Sequence, residues 1–592
     1  MGVYLNPGNI DFQKAVNSKI YVDKTELLAF TNSVLMTEQL YISVSRPRRF
    51  GKSMAANMLA AYYSRGCDSE ELFGGLKIAE DADFKKHLNR YNVIRLNMQD
   101  FLTKAGSVGG MVELIEKKLF RELNREFREV DFDPDDFCFA LEEIFAQTGI
   151  PFVFIIDEWD CVMRVYRDDK AAHTQYLDYL RHLLKDKSCV ALAYMTGILP
   201  IKKYGQHSAL NMFYEYSMMN AKPIQEFTGF TEAEVQALCE QYNVPYDRMK
   251  KWYDGYLVSG VSIYNPRSVV EAILRGEFDS YWTKTETYEA LKVYIQMDRD
   301  GLREKTERLI AGERVSINPL KYQNDMAVFE SADDVLALLI HLGYLTAQRE
   351  LSEGGISGEE VSEKEVSGKE VSGKEVSGKE VSEKEVSGEE ISEGKFPEID
   401  GSSMDCAIPN SEVRQEFINC IEDGGWENVM DAIRGSNELL RLTIAGDEAA
   451  VANQIAKVHQ ENASILQYND ENSLSCAISL AYYSAKKSYT VVREMPAGKG
   501  FADLVFVPDR NCALPAMVVE LKWDKSVKTA LDQIRKNEYA DCLKRFSGEI
   551  LLVGVNYDKD SKEHTCRIER VRKYKHTGKG RAVNAFSDSP RI

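Results

Sequence analysis

The N-terminal third of the chain alternates short, continuously apolar stretches with amphipathic ones. YISVS is followed by MAANMLAAYYSRG, YNVIRLNM by GGMVELIEKKLFRELNREF, and PFVFIID by DYLRHLLKD, before CVALAYMTG. Apolar runs with no polar alternate position need cover on both faces, and the intervening helices supply it. The pattern therefore predicts an α/β unit with a parallel sheet wrapped by helices. At 592 residues the chain exceeds what one core organises, so three or four domains are expected. From about Phe227 to Asp298 the pattern turns helical and aromatic, and the final quarter returns to mixed strands and helices.

Between YISVS and the helix that follows stands SRPRRFGKS, which ends as a phosphate-binding loop does but has Arg46 where G-x-x-x-x-G-K-[ST] has its first glycine. Gly51 lets the backbone approach a phosphate, Lys52 neutralises β and γ charge, Ser53 Oγ can ligate Mg²⁺, and the helix N-terminus offers oriented N–H groups. A basic surface turn spelling Gly-Lys-Ser is the alternative. PFVFIIDEWD adds Asp157 and Glu158 at the end of an apolar strand, where an Asp holds Mg²⁺ and a Glu orients the attacking water. Acidic residues after a strand also serve as helix caps, but both signals in this order favour a nucleotide site. Thr196, ending CVALAYMTG, is placed to sense a γ-phosphate; an ordinary turn residue is the plainer account.

Composition excludes several classes. No apolar run reaches bilayer length, and the N-terminus lacks a basic segment followed by an apolar one, so neither a membrane span nor a secretory signal is expected. Asn6 stands where a myristoylation signal wants Ser or Thr. Eleven cysteines without a C-x-x-C pair fit reduced thiols, which makes the cytoplasm the expected compartment. A net charge of -19 argues against a basic coat but leaves room for a local basic groove.

Residues 356–395 are eight consecutive pentads of the VSGKE type. A period of five matches neither helix nor strand, and one Val or Ile per pentad buries too little to offset ordering entropy, so a disordered insertion is expected rather than a short-repeat solenoid. Before it, DDVLALLIHLGYLTAQREL reads as helix, turn and strand; after it, SSMDCAIPNSEVRQEFINCI reads as strand, turn and helix. The repeat then occupies the tip of a hairpin, where closure entropy grows only logarithmically with length.

In SYTVVREMPAGKGFADLVFVPDRNCALPAMVVELKWDKS, three strands are separated by turns. Asp503 opens the middle strand, while Glu520 and Lys522, two apart in the last, share a face. Two carboxylates can hold Mg²⁺ against a scissile phosphate, and a lysine beside them can stabilise the charge that develops. As a bare pattern E-x-K is weak, since solvated strands produce it constantly; here AMVV and Leu521 make the strand a buried one, leaving a metal site or a structural ion pair.

The motifs YVDKTELL, SRPRRFGKS, FIIDEWD, MTGI, FTGFTEAEV, WYDGY, YNPRSV, GYLT and IPNSEV, in this order from Tyr21 to Val413, resemble the AAA-ATPase-like family of bacterial proteins. That family commonly carries Arg-Pro-Arg-Arg-Phe-Gly-Lys-Ser in this loop. The resemblance implies ATP and Mg²⁺ as cofactors, a loop formed by Arg48, Arg49, Phe50, Gly51, Lys52, Ser53 and Met54, Asp157 and Ser53 on the metal, Thr196 at the nucleotide and Glu158 as the catalytic carboxylate. Aromatic packing at a helix end is the simplest account of WYDGY. Residues 469–569 resemble the PD-(D/E)XK nuclease-like family through Glu471, Glu494, Asp503, Glu520, Lys522, Gln533 and Tyr539, with Gly-Phe-Ala-Asp in place of the usual Gly-Arg-Ala-Asp. Asp503 and Glu520 are then metal ligands and, with Lys522, catalytic.

The expected division is a P-loop core at 1–205, a helical lid-like region at 206–300, a helical or winged-helix-like region at 301–440 interrupted by the pentads, and a restriction-endonuclease-like α/β domain at 441–592. The expected function is an ATP-binding, ATP-hydrolysing protein fused to a Mg²⁺-dependent nuclease acting on DNA or RNA, with self-association into a homo-oligomer left open. The alternative is a nucleotide-dependent switch whose nuclease-like fold binds nucleic acid or protein without cutting. A metabolic kinase is disfavoured by the lack of an acceptor-binding signature.

Overall fold

The computed structural model describes residues 2–201, 210–282, 291–292, 294–295, 301–319, 322, 329–348, 403–423, 426–462, 471–497, 500–509, 512, 514–537, 543, 546 and 548–572. Strands β1 (Tyr41–Ser45), β2 (Asn92–Asn97), β3 (Phe152–Asp157), β4 (Val190–Gly197) and β5 (Tyr214–Tyr216) form one parallel sheet in the order β2-β3-β4-β1-β5. Helices cover both faces, as continuous apolar strands require. On one face Ala56 and Leu59 of helix Lys52–Tyr63 join Ile42, Val44, Ile155 and Leu192; on the other, Ile115 and Leu119 of helix Val108–Glu126 join Phe154, Ile156 and Met195. β5 lies beyond the expected boundary at 205 and, at three residues, is too short to show a period. Because β4 separates β1 from β3, Val44, Thr196 and Asp157 stand side by side at the carboxyl edge of the sheet, where open α/β sheets bind ligands.

The region expected to be helical also contains a three-stranded antiparallel sheet, β6 (Phe230–Thr231), β7 (Tyr256–Val258) and β8 (Val261–Tyr264), ordered β6-β8-β7. Strands of two to four residues carry no legible alternation. Helices Glu232–Tyr242, Tyr246–Tyr253 and Pro266–Arg275 enclose it around Val235, Met249, Tyr253 and Val269.

A second small sheet joins β9 (Val315–Ile317), β10 (Thr346–Gln348) and β11 (Met404–Ala407), with β11 in the middle. β10 and β11 pair antiparallel, Thr346 opposite Ala407 and Gln348 opposite Asp405, so the chain between them leaves and returns at adjacent strands. The pentads lie outside the described residues.

The C-terminal sheet runs β12 (Tyr489–Ala497), β13 (Gly500–Pro508), β14 (Ala516–Trp523), β15 (Glu549–Asp558) and β16 (Glu563–Arg572) in sequential order. Only β14 and β15 are parallel. Helices Glu427–Ala445, Glu448–Asn462 and Glu471–Ala481 pack on one face through Leu439, Ile455 and Ile478; helix Val527–Lys536 covers the other through Leu531 and Ile534. Lys251 of helix Tyr246–Tyr253 pairs with Asp509, just past β13, at 2.7 Å, and Arg493 of β12 pairs with Glu313. Among the described residues no helix is long and apolar enough to cross a membrane.

Candidate functional sites

SRPRRFGKS leaves β1 at Ser45 and enters its helix at Lys52. Gly51 precedes the helix with φ 90°, a left-handed conformation that a Cβ would strain. Arg49, at φ 68°, adopts the same region without glycine's freedom, a kind of strain that clusters at functional loops. Lys52 is buried, and its Nζ donates to the carbonyls of Arg46 and Pro47, each at 2.9 Å. Arg46 is turned inward, 1 % exposed: its Nη1 donates to Ser45 O and to Tyr216 O of β5, each at 2.9 Å. The residue in the first-glycine position therefore fastens β5 to the end of β1 and carries its side chain away from the loop's interior, which is why no glycine is needed there.

Asp157, 1 % exposed, accepts from Thr196 Oγ1 and from the amide of Glu158 at 3.1 Å through Oδ1, while Oδ2 has no partner among the described residues. Thr196 is thus brought to the carboxylate rather than standing alone at the strand end. Glu158, left-handed at φ 56°, pairs with Arg164 of the short helix Cys161–Val165. Burial pushes its carboxyl above the usual range, against the pull of Arg164 and Lys52. Burial likewise pushes Lys52 below the usual lysine range, opposed by Glu158, Asp160 and Asp157 in that order. The loop lysine and three acids therefore share one electrostatic neighbourhood.

Asp160 is a residue the sequence argument passed over, although it closes the quoted FIIDEWD. Fully buried, it accepts from the amides of Ile198 and Leu199 at 3.0 and 2.9 Å and pairs with Arg164 at 3.2 Å. It ties the turn after β3 to the turn after β4. Gly197 makes room for this: a Cβ there would sit 2.7 Å from Trp159 Nε1 and 3.1 Å from the Asp160 carboxyl carbon.

Other loop residues point elsewhere. The Phe50 ring is buried edge-on against Tyr256, centroids 5.2 Å apart, so that its main chain is the part that faces the loop. Arg49, Ser53 and Met54 are exposed and Arg48 is half-buried. The middle region holds the loop's outer side, since Trp282 Nε1 donates to Arg48 O at 3.1 Å and the Gly229 amide to Phe50 O at 2.9 Å. Trp282 is held in turn by Glu412 of IPNSEV, which accepts from the amides of Tyr281 and Trp282 at 2.6 and 2.7 Å and from Ser268 Oγ at 2.7 Å. Burial pushes Glu412 up to about 7. In WYDGY, Tyr253 and Tyr256 are core residues, and Gly255 is required because a Cβ would meet Pro409 O at 1.9 Å.

The second site is built on β13 and β14. Leu504 pairs with Val519, so the ladder brings Asp503 opposite Glu520, and directly opposed side chains share a face. Asp503 Oδ2 accepts from the Leu521 amide at 2.6 Å. Glu520 is fully buried: Oε1 takes Lys522 Nζ at 2.9 Å, and Oε2 has no partner among the described residues. Lys522 Nζ also donates to Leu521 O at 2.7 Å. Burial and then Asp503 push the Glu520 carboxyl up to about 7. Gln533 is half-buried on the helix over this face; the side chains of Glu471 and Glu494, and Tyr539, lie outside the described residues. Among the described residues no group of three or more His, Cys, Asp or Glu side chains could hold a metal ion.

Family models match the two ends of the chain. Residues 8–206 match that of a predicted AAA-ATPase and residues 470–566 that of the PD-(D/E)XK nuclease superfamily. The chain carries an AAA-ATPase-like domain ahead of a PD-(D/E)XK nuclease-superfamily domain. Over 343 residues it is 26% identical to an uncharacterized protein in the vnfD 5′ region of Azotobacter chroococcum mcd 1, covering 55% of this chain and 60% of that protein, less than two thirds of its length. Similar solved structures include the Walker-type ATPase paby2304 of Pyrococcus abyssi, at 14% identity over 55% of this chain and 89% of that one, TM-score 0.28. The ORC2 protein of Aeropyrum pernix, in ADPNP and ADP complexes, is 11% identical over 69% of this chain and 97% of that one, TM-score 0.29.

Proposed function

We propose that the ATPase-like domain binds and hydrolyses ATP and that the nuclease-like domain cuts nucleic-acid phosphodiesters, each with Mg²⁺. The observation that carries the nuclease half is Glu520: a fully buried carboxylate with one oxygen unpaired, beside a second carboxylate and a buried lysine. Such a group is costly unless a cation completes it. The same argument applies to Asp157 Oδ2 in the first site. These orphaned oxygens fit a divalent ion, which Asp157 and Ser53 would hold in one site and Asp503 and Glu520 in the other. When bound, the ion neutralises phosphate charge and acidifies water.

The protein's own groups do the rest. Gly51 and the helix N-terminus present N–H groups to the phosphates, Lys52 adds its charge, and Glu158 orients the attacking water. Arg48 and Arg49 stand at the loop to meet phosphate oxygens, and Thr196 fixes the Asp157 carboxylate. In the second site Lys522 stabilises charge developing on the scissile phosphate. The test is Lys522→Ala on single- and double-stranded DNA and RNA with Mg²⁺ or Mn²⁺: initial rates should fall at least about a hundredfold. Equal rates would remove Lys522 from the chemistry.

The direct Glu520–Lys522 contact favours a second reading, a structural ion pair in a domain that binds nucleic acid without cutting it. Under that reading, wild type retains oligonucleotides without cleaving them and Lys522→Ala lowers only the melting temperature.

A further inference from the structure

We infer that Phe501, with Pro496 beside it, is a base-stacking platform for the nucleotide next to the scissile phosphate, so that the substrate presents an unstacked base in a single-stranded or splayed stretch. The inference rests on the nuclease reading of Asp503, Glu520 and Lys522. Phe501 is 62 % exposed although it lies inside β13, next to the fully buried Ala502. Large aromatics in a strand normally bury against neighbours, and one left in water beside a reactive site calls for a partner. Its cross-strand neighbour is the exposed Pro496, giving an aromatic ring and a pyrrolidine ring side by side at the open edge of the sheet. Phe501 precedes Asp503 by two residues on β13, about 7 Å along the strand.

That spacing suits one nucleotide step from a phosphate held at Asp503 and Glu520. An apolar plane can offer a base its π-face whatever the base's identity, whereas a duplex keeps its bases stacked and gives the ring nothing to receive. The platform therefore selects strands by their unpaired state, not by sequence. An arginine at this position would contact phosphate instead; the phenyl ring exchanges charge for stacking.

The full-length protein is titrated in Ca²⁺ with 12-nucleotide single strands of DNA and RNA carrying one 2-aminopurine, and with the corresponding duplexes, using wild type, Phe501→Ala, Phe501→Trp and Lys522→Ala. Stacking quenches 2-aminopurine. Wild type and Phe501→Trp should quench it, and Phe501→Ala should lose the quench and bind single strands about tenfold more weakly while duplex affinity is unchanged. Phe501→Ala binding and quenching as wild type does would overturn the inference, as would a wild type that binds none of the strands. Lys522→Ala separates the two claims. If it stacks the base normally but cleaves as fast as wild type in Mg²⁺, the nuclease assignment of Lys522 fails and the platform stands.

Discussion

The two sites use the same chemical parts, a buried lysine among carboxylates, but assemble them at different ranges. In the nuclease-like domain Asp503, Glu520 and Lys522 come from two hydrogen-bonded strands, and the lysine bonds directly to its carboxylate. In the ATPase-like domain the lysine bonds to carbonyls of its own loop, and its acids arrive from a strand two places away in the sheet. That loop is also held from outside by Trp282 and Gly229. A site made inside one sheet depends on local register; a site made between segments depends on everything that fixes them. Distant substitutions should therefore disturb the first site and leave the second alone.

The most forceful way to break this contrast is Lys52→Ala, which should weaken ATP binding roughly ten- to a hundredfold, read by isothermal titration calorimetry. Next comes Gly197→Ala, whose new methyl would drive into Trp159 and Asp160. It should cost about 2 kcal/mol of stability in the ATPase-like domain, seen as a lower melting temperature, with the metal affinity of the nuclease-like site unchanged. A change at both sites would show that they are not independent.

How much of this was legible in the chain follows the same division. SRPRRFGKS, FIIDEWD and ELK could be placed because each sits at the end of a continuous apolar strand, and strand order brought the matching pieces together. Asp160 stood in plain view, but nothing marks an acid as the acceptor of two amides until β4 is laid beside β3. Arg46 reads as a loop cation, and only the presence of β5 shows why it turns inward. Trp282 and Glu412 are 130 residues apart, and no local period signals a carboxylate that shapes the backbone beneath a tryptophan. Phe50 fits the loop motif by position, while its ring obeys the aromatic core of the neighbouring region.

Protonation sharpens the comparison further. Glu520 titrates near 7 in the fold, above an unfolded carboxyl, so its contribution to stability is present in acid and lost as pH rises through about 7. A divalent ion prefers the deprotonated form and reverses that trend. Mn²⁺ affinity at the second site should therefore climb up to about tenfold per pH step below 7 and level off above it, measured by titration calorimetry. A flat profile would mean that Glu520 is not a ligand. The smallest effect is expected from Trp282→Phe, which keeps an aromatic ring but removes part of the buried indole and its bond to Arg48 O. It should cost about 1 kcal/mol, with a slight loss of ATP affinity and no change in strand cleavage.

The pairing of β10 with β11 has a practical corollary. Because the chain departs and re-enters at neighbouring rungs of one ladder, a short turn would suffice to join Gln348 to Met404, and closure costs only slowly more as the join lengthens. It is a natural grafting point, where a fluorescent reporter or an affinity handle could be spliced into the polypeptide to follow either domain at work.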